Sequence, residues 1–518
     1  MVRGGSSSWR LARAMAGAAL SRSRRRSIVT VRYDGTPVPS KQAQQETKQA
    51  KRERLARAAV PVALLVGIGW LTPRPAEITP EGWRLLGIFV ATVVGMLLQP
   101  LPGGALVLVA VTLSAILGGL KIEQALSGYA NESVWLVMAA FFISRALIKT
   151  GLARRIALGF VRLFGRTSLG VCYALSLSDM VLASIIPSNA ARSGGVILPI
   201  ARSVAELYGS QPGPTAQLLG SFLMTAVYQS ICVTAAMFLT GQASNPMAAQ
   251  IATESFGYRV DWTSWFVAGI APGLCSLLLV PVAVRWLNPP EIRRTPEAAA
   301  FAVKQLRSMG PMSRAERIVL AVFLGVCGTW VTTRWHGLDI TVTALLGSSA
   351  LLVTGVLNWE DVKNEKAAWD IFIWYGGLLM LGKALNTAGV TTVFAKAVGG
   401  ALEQAGWVVL FGVALLVYYY AHYAYASITA HILAMYSPFL AVLAAKGAPL
   451  GLTVYAFACF ANLAAGLTNY GTTPAPMFFA HGYVSLGRWW KVGAAVSLVN
   501  IAVWTTVGFA WWKLLGLW

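Results

Sequence analysis

Acidic residues are scarce in this 518-residue chain: 20 Asp and Glu stand against 42 Lys and Arg, and charged residues of both signs make up only 12%. A water-soluble domain normally carries roughly twice that share of charge, so a soluble globular fold is excluded. Histidine is scarcer still, with four in the chain, and the five cysteines (Cys172, Cys232, Cys275, Cys327, Cys459) lie scattered through apolar runs without paired ligand spacing. That pattern excludes a zinc site and a disulfide framework, and it reads as packing thiols. No HExxH motif is present, Asp179 and Asp370 look isolated, and no cofactor or resident-metal signature emerges, so a membrane enzyme lacks its nucleophile or metal set. The basic excess invites a nucleic-acid partner, but no interleaved aromatics and no recognisable module accompany it, and that partner is excluded too.

Apolar length is what the chain has in abundance. Hydrophobic residues reach 56% and the mean hydropathy is +0.61. Stretches such as Leu85 to Leu101, Ala105 to Leu120, Val134 to Ile148, Ser264 to Val284, Ile318 to Thr332, Val342 to Leu357, Val408 to Tyr420 and Val492 to Trp512 approach or reach spanning length, which is about 20 residues. These predict an all-α polytopic membrane protein with about 11 transmembrane helices plus two shorter re-entrant segments. Trp511, Trp512 and Trp518 read as part of an interfacial aromatic belt.

The charge of +22 is unevenly spread: residues 1–57 hold 14 Arg and Lys against Asp34, Glu46 and Glu53, a net +11. Residues 1–33 contain Arg, Ser and small residues and no acid, the composition of an organellar transit peptide, and plastid and mitochondrion both fit it. Residues 41–57 read as a short basic lead into the first span. A second basic stretch, Arg285 to Arg317, contains Pro289-Pro290 and divides the rest. The expected organisation is therefore 1–57 leader, 58–288 first membrane repeat, 289–315 basic polar linker and 316–518 second repeat. A further cluster, Arg145, Lys149, Arg154, Arg155, Arg162 and Arg166, fits a topological role under the positive-inside rule.

Two motifs recur across these halves. Ser188-Asn189-Ala190-Ala191-Arg192 is followed by Pro199, and Ser427-Ile428-Thr429-Ala430-His431 by Pro438, the proline eleven residues after the serine each time. Downstream lie Thr240-Gly241-Gln242-Ala243-Ser244-Asn245-Pro246 and Thr468-Asn469-Tyr470-Gly471-Thr472-Thr473-Pro474-Ala475-Pro476. Glycine and proline free backbone groups that lipid cannot satisfy, so such segments must be buried in protein or line a wet cavity. In transporters built from repeats, matched breaks of this kind point to the substrate site. Half-helix amides, hydroxyls and side-chain amides suit carboxylate groups, so the expected substrate is an anion. Arg192 and His431 share one offset from their serines, which predicts one cationic or proton-sensitive group per repeat facing the site.

At these residues the chain resembles the divalent anion/sodium symporter family, and within it the plastid 2-oxoglutarate/malate translocator branch. The strings FFISRALIKTGLARRIAL, FVRLFGRTSLG, IPSNAARSGGVILPI, AMFLTG, GPMSR, WYGGLLM, ASITAH and LTNYGTTPAP carry the resemblance, over about residues 58 to 518. It implies two inverted repeats, two re-entrant helical hairpins, a homodimer with a fixed scaffold and a moving transport part, and substrate contacts at Ser188, Asn189, Ser427, Thr429, Thr473 and Pro474, with Asn245 a weaker match. Two positions depart from the family pattern: Ala190 replaces a threonine and Ile428 an asparagine. Both losses remove oxygen ligands that a hard cation needs. The expectation is therefore sodium-independent exchange of malate for 2-oxoglutarate across a plastid inner envelope, or a mitochondrial inner membrane, with Arg192 or His431 supplying charge and no cofactor. A sodium-coupled dicarboxylate or sulfate symporter of the same fold is the alternative. A channel would show a ring or pore filter instead of paired breaks.

Overall fold

The computed structural model describes residues 41–393 and 406–518, with side chains from residue 52 onward. The chain divides into two compact units, Met1–Arg57 and Ala58–Trp518. Among the described residues the regular structure is entirely helical, and the single extended pairing is an isolated bridge between Thr167 and Arg294. The leader's first 40 residues lie outside the described part.

The helices run in the order α1 (Lys41–Val66), α2 (Pro80–Leu98), α3 (Gly103–Ile116), α4 (Ile122–Leu126), α5 (Glu132–Thr150), α6 (Leu152–Phe164) and α7 (Ser168–Ala183). A sharp turn then leads to α8 (Asn189–Arg192), a five-residue π-turn (Ser193–Ile197) and α9 (Leu198–Leu207). Next come α10 (Gly220–Met237), α11 (Ser244–Phe256), α12 (Trp262–Leu287) and α13 (Pro296–Ser308). The second half has α14 (Arg314–Val331), α15 (Thr333–His336), α16 (Ile340–Val353), α17 (Trp359–Lys363) and α18 (Lys366–Thr387). It then repeats the earlier sequence of elements: α19 (Trp407–Ala421), a turn, α20 (Ile428–His431), a five-residue π-turn (Ile432–Tyr436), α21 (Ser437–Ala445), α22 (Leu450–Ala464), α23 (Pro474–Phe479), α24 (Leu486–Val503) and α25 (Phe509–Leu514).

Nine helices among the described residues are long and apolar enough to cross a membrane, and three shorter apolar ones (α3, α7 and α16) add to them. The chain is thus a multi-pass membrane protein. Burial separates these spans sharply. The windows over α10 and α22 are 100% and 94% buried, which explains why they tolerate Thr225, Gln229, Thr234 and Asn462 without an amphipathic stripe: a helix enclosed on all sides meets partners everywhere. Helix starts follow local chemistry. Thr79, Asn131, Thr167, Asp261 and Ser313 each accept a backbone N–H from the first turn of α2, α5, α7, α12 and α14. Helix α5 ends at Gly151, whose φ of 82° only glycine takes without strain, and the chain turns there into α6.

The stretch between the halves is less linker-like than its composition suggests. Helix α13 packs along α6, burying Ala298 and Ala302. The Tyr208 hydroxyl donates to Glu297 and accepts from the Ala298 amide, while Arg155 pairs with Glu316 at 2.6 Å. Arg154 donates to Gln305, and Lys149 with Arg145 holds Asp361, so four of the six residues in the basic cluster are tied to named partners. The belt assignment of Trp512 is corrected: it is fully buried and its indole N–H donates to the Ala268 carbonyl at 2.9 Å. Among the described residues, Trp286, Trp335 and Trp359 are the most exposed tryptophans.

Candidate functional site

Each serine motif forms the inbound start of a helical hairpin. Hairpin 1 runs out along α7 and back through α8 and α9; hairpin 2 runs out along α19 and back through α20 and α21. Ser188 Oγ accepts the Ala191 amide at 3.1 Å and Ser427 Oγ accepts the Ala430 amide at 3.4 Å, so both serines are N-caps. The π-turns begin five residues after each serine and run into Pro199 and Pro438. Proline has no N–H to donate and its ring crowds the carbonyl four residues back, which widens the helix at that point.

The second motif in each half breaks a helix. Helix α10 stops at Met237 and the chain resumes as α11 at Ser244; α22 stops at Ala464 and the chain resumes as α23 at Pro474. The two breaks share one glycine geometry. Gly241 lies against the Ala235 carbonyl and Gly471 against the Ala465 carbonyl, where an added Cβ would sit 2.7 and 2.6 Å from the oxygen. Glycine is required at both places because the chain folds back onto the carbonyl six residues upstream.

Each hairpin is tied to the break of its own half. In the first, Arg192 Nη1 donates at 2.7 Å to both the Ile186 carbonyl of the hairpin turn and the Gly241 carbonyl of the break. Thr240 adds a bond to the Ser184 carbonyl at 2.6 Å. In the second, His422 Nε2 meets the Gly471 carbonyl at 2.8 Å, Tyr470 donates to the Tyr423 carbonyl and Tyr419 to the Leu463 carbonyl. Each inbound arm also packs on the other half's resumed helix: the π-turn of hairpin 1 on α23 and that of hairpin 2 on α11. Hairpin 1 makes a polar cross-contact as well, from Asn189 Nδ2 to Thr472 Oγ1 at 3.3 Å.

The structure therefore brings Asn189, between Ser188 and Ala190, up to Thr472, which precedes Thr473 and Pro474. Thr473 is exposed, and Ser188 and Ala190 are partly exposed beside buried Asn189 and Pro474. Ser427, Thr429 and His431 lie together in hairpin 2, with Ser427 partly exposed and Thr429 at 7%. Among the described residues no hydrogen bond joins the two hairpin tips. Asn245 has spent its amide on the break: Nδ2 donates to the Ala235 and Phe238 carbonyls, and Oδ1 accepts from Asn462 at 2.8 Å. Ile428 belongs to the apolar core and offers no oxygen.

Arg192 differs from the free cation expected. It is fully buried, its Nε donates to Asp179 at 2.9 Å, and Asp179 also accepts from Thr234. Asp179, which looks isolated in sequence, is its counter-ion; the signal was its place nine residues before Ser188, on the facing arm. His431 is fully buried between the Tyr418 and Tyr425 rings, at centroid distances of 4.1 and 5.1 Å, with its Nδ1 3.0 Å from His422 Nδ1. His422, Thr234 and Asn462 were residues that motif reading missed, and Thr472 lay in the second break motif without being expected as a contact. Around the breaks, Ser193 Oγ, Ser244 Oγ, Thr468 Oγ1 and Asn462 Oδ1 are buried without a partner, a concentration of polar groups that native interiors rarely leave idle.

Paired hairpins and paired broken helices, buried at the centre of a polytopic membrane chain, define a secondary transporter. Residues 52–518 match the family described as the sodium:sulfate symporter transmembrane region, and the chain belongs to that family. It is 44% identical over 463 residues (89% of this chain, 97% of the relative) to the putative malate transporter YflS of Bacillus subtilis. It is 41% identical over 452 residues (87% and 81%) to the chloroplastic dicarboxylate transporter 1 of Arabidopsis thaliana, and 38% identical over 467 (88% and 83%) to the chloroplastic dicarboxylate transporter 2 of Spinacia oleracea.

Proposed function

We propose that this transporter exchanges C4 and C5 dicarboxylates, malate against 2-oxoglutarate, by sodium-independent, electroneutral antiport with alternating access of one central site. The substrate class comes from the relatives named above as malate and dicarboxylate transporters. The site in this reading is the meeting of Ser188, Asn189 and Ala190 with Thr473 and Pro474, joined by Ser427 and Thr429; Asn245, Arg192 and His431 hold the frame around it. The two inverted repeats work in a homodimer whose fixed scaffold carries a moving part made of the hairpins and broken helices. The acid-free, Arg- and Ser-rich residues 1–33 and the chloroplastic relatives favour a plastid inner envelope.

One observation carries the sodium independence. The Arg192 guanidinium lies between a hairpin-turn carbonyl and the break carbonyl, 2.7 Å from each, and so already bridges the oxygens that a hard cation would have to collect. Asp179 neutralises it, so the bridge is made without net charge. Dicarboxylate selectivity is tested by preloading proteoliposomes with malate and measuring labelled malate uptake against competitors. 2-Oxoglutarate is expected to compete and sulfate not; equal competition by sulfate would move the protein to the sulfate-transporting side of its family.

A further inference from the structure

The sequence pairs Arg192 with His431, each four residues after its serine, yet the contacts pair Arg192 with a different residue. What Arg192 does in the first half is to carry an N–H to the carbonyl of the break glycine, Gly241. In the second half the side chain that reaches the break glycine, Gly471, is His422, five residues before Ser427 and in the hairpin turn itself. We infer that His422 is the positioning residue of hairpin 2, fixing its tip to the broken helix through Gly471, and that His431 acts on the site only through His422. The inference rests on the transport reading above.

The imidazole tautomers follow from the acceptors. A carbonyl oxygen only accepts, so His422 Nε2 must bear the proton. In the neutral ring His422 Nδ1 is then a lone pair, and the 3.0 Å contact with His431 Nδ1 requires the proton to sit on His431. His431 Nε2 is left as a bare lone pair. That atom makes no hydrogen bond of normal geometry, as this proton order expects, and the Tyr418 backbone close to the ring is the acceptor that the opposite order would use. The chain Gly471 carbonyl, His422, His431 is thus the counterpart of Gly241 carbonyl, Arg192, Asp179, with the supporting group one step further from the break in each half. Gly471 also explains the close fit: a Cβ there would lie 3.1 Å from His422 Nε2.

Four histidines in the whole chain make the test direct. Protein labelled with 15N-histidine, in detergent at alkaline pH, is read for ring tautomer, with His336→Gln, His422→Gln, His431→Gln and His481→Gln variants assigning the signals. An Nε2–H tautomer at His422, an Nδ1–H tautomer at His431 and a scalar coupling between the two Nδ1 atoms are expected; Nε2–H on both rings without coupling overturns the proton order. This readout needs no transport, so its failure is distinct from failure of the substrate reading. Exchange in proteoliposomes then tests the positioning role. His422→Gln keeps an N–H at the Nε2 position and is expected to stay within about threefold of the unaltered protein. His422→Asn reaches only the Nδ1 position and leaves the Gly471 carbonyl unpaired, which predicts a loss of about tenfold or more. Equal rates for the two variants, or an undiminished rate for His422→Asn, overturn the inference.

Discussion

The two hairpins share a backbone and differ in chemistry. Both have a serine cap, a π-turn at the same offset, a proline eleven residues on and a tether to a break glycine. Nine residues before the serine and four after it, however, hairpin 1 holds Asp179 and Arg192, a buried ion pair, whereas hairpin 2 holds Tyr418 and His431, two rings packed 4.1 Å apart and tilted by 30°. The facing positions of the two arms are the same, so the duplicated frame fixes where two side chains must meet and leaves open how. Charge survives in one copy and aromatic packing in the other, which makes the first hairpin the one with most to lose from a single substitution.

Asp179→Ala presses that difference hardest. It strands a fully buried guanidinium, and a loss of about 3–5 kcal/mol is expected, seen as a large drop in thermal unfolding temperature or in recovery of monodisperse protein. Asp179→Leu combined with Arg192→Met removes both charges and should regain most of that stability while exchange stays low, because the Gly241 carbonyl has lost its donor. Recovery of exchange in the double variant would show that the first tether is only packing. Gly241→Ala and Gly471→Ala come next, each pushing a methyl against a carbonyl at 2.7 and 2.6 Å. About 1–3 kcal/mol is expected from each, and clearly unequal unfolding shifts would break the equivalence of the two breaks. Tyr418→Phe should do least. Its hydroxyl is buried without a partner, so removing it while keeping the ring is expected to change stability by less than about 0.5 kcal/mol.

The membrane class, the all-helical fold and the four helix interruptions were legible in sequence because each depends on local pattern: apolar length, glycine, proline and a capping serine. What pattern hid was partnership. Asp179 and Arg192 are 13 residues apart and meet only because the hairpin turns between them. Asn245 looks like a substrate ligand until Asn462, from the other half, is found on its carbonyl oxygen. Trp512 resembles a belt residue in an apolar tail and proves to be core, since α25 packs inward on α12. In each case a side chain's role was set by what stood opposite it, which no spacing along one chain segment encodes.

The central claim is that guanidinium bridging at Arg192 has replaced a bound cation and left an obligate exchanger. Uptake of labelled 2-oxoglutarate into proteoliposomes tests it most directly, with and without internal malate, each in sodium buffer and in sodium-free potassium buffer. Uptake that requires internal malate and is indifferent to sodium is predicted. Uptake into empty vesicles driven by a sodium gradient would contradict the account and would mean that backbone carbonyls build a cation site despite Ala190 and Ile428.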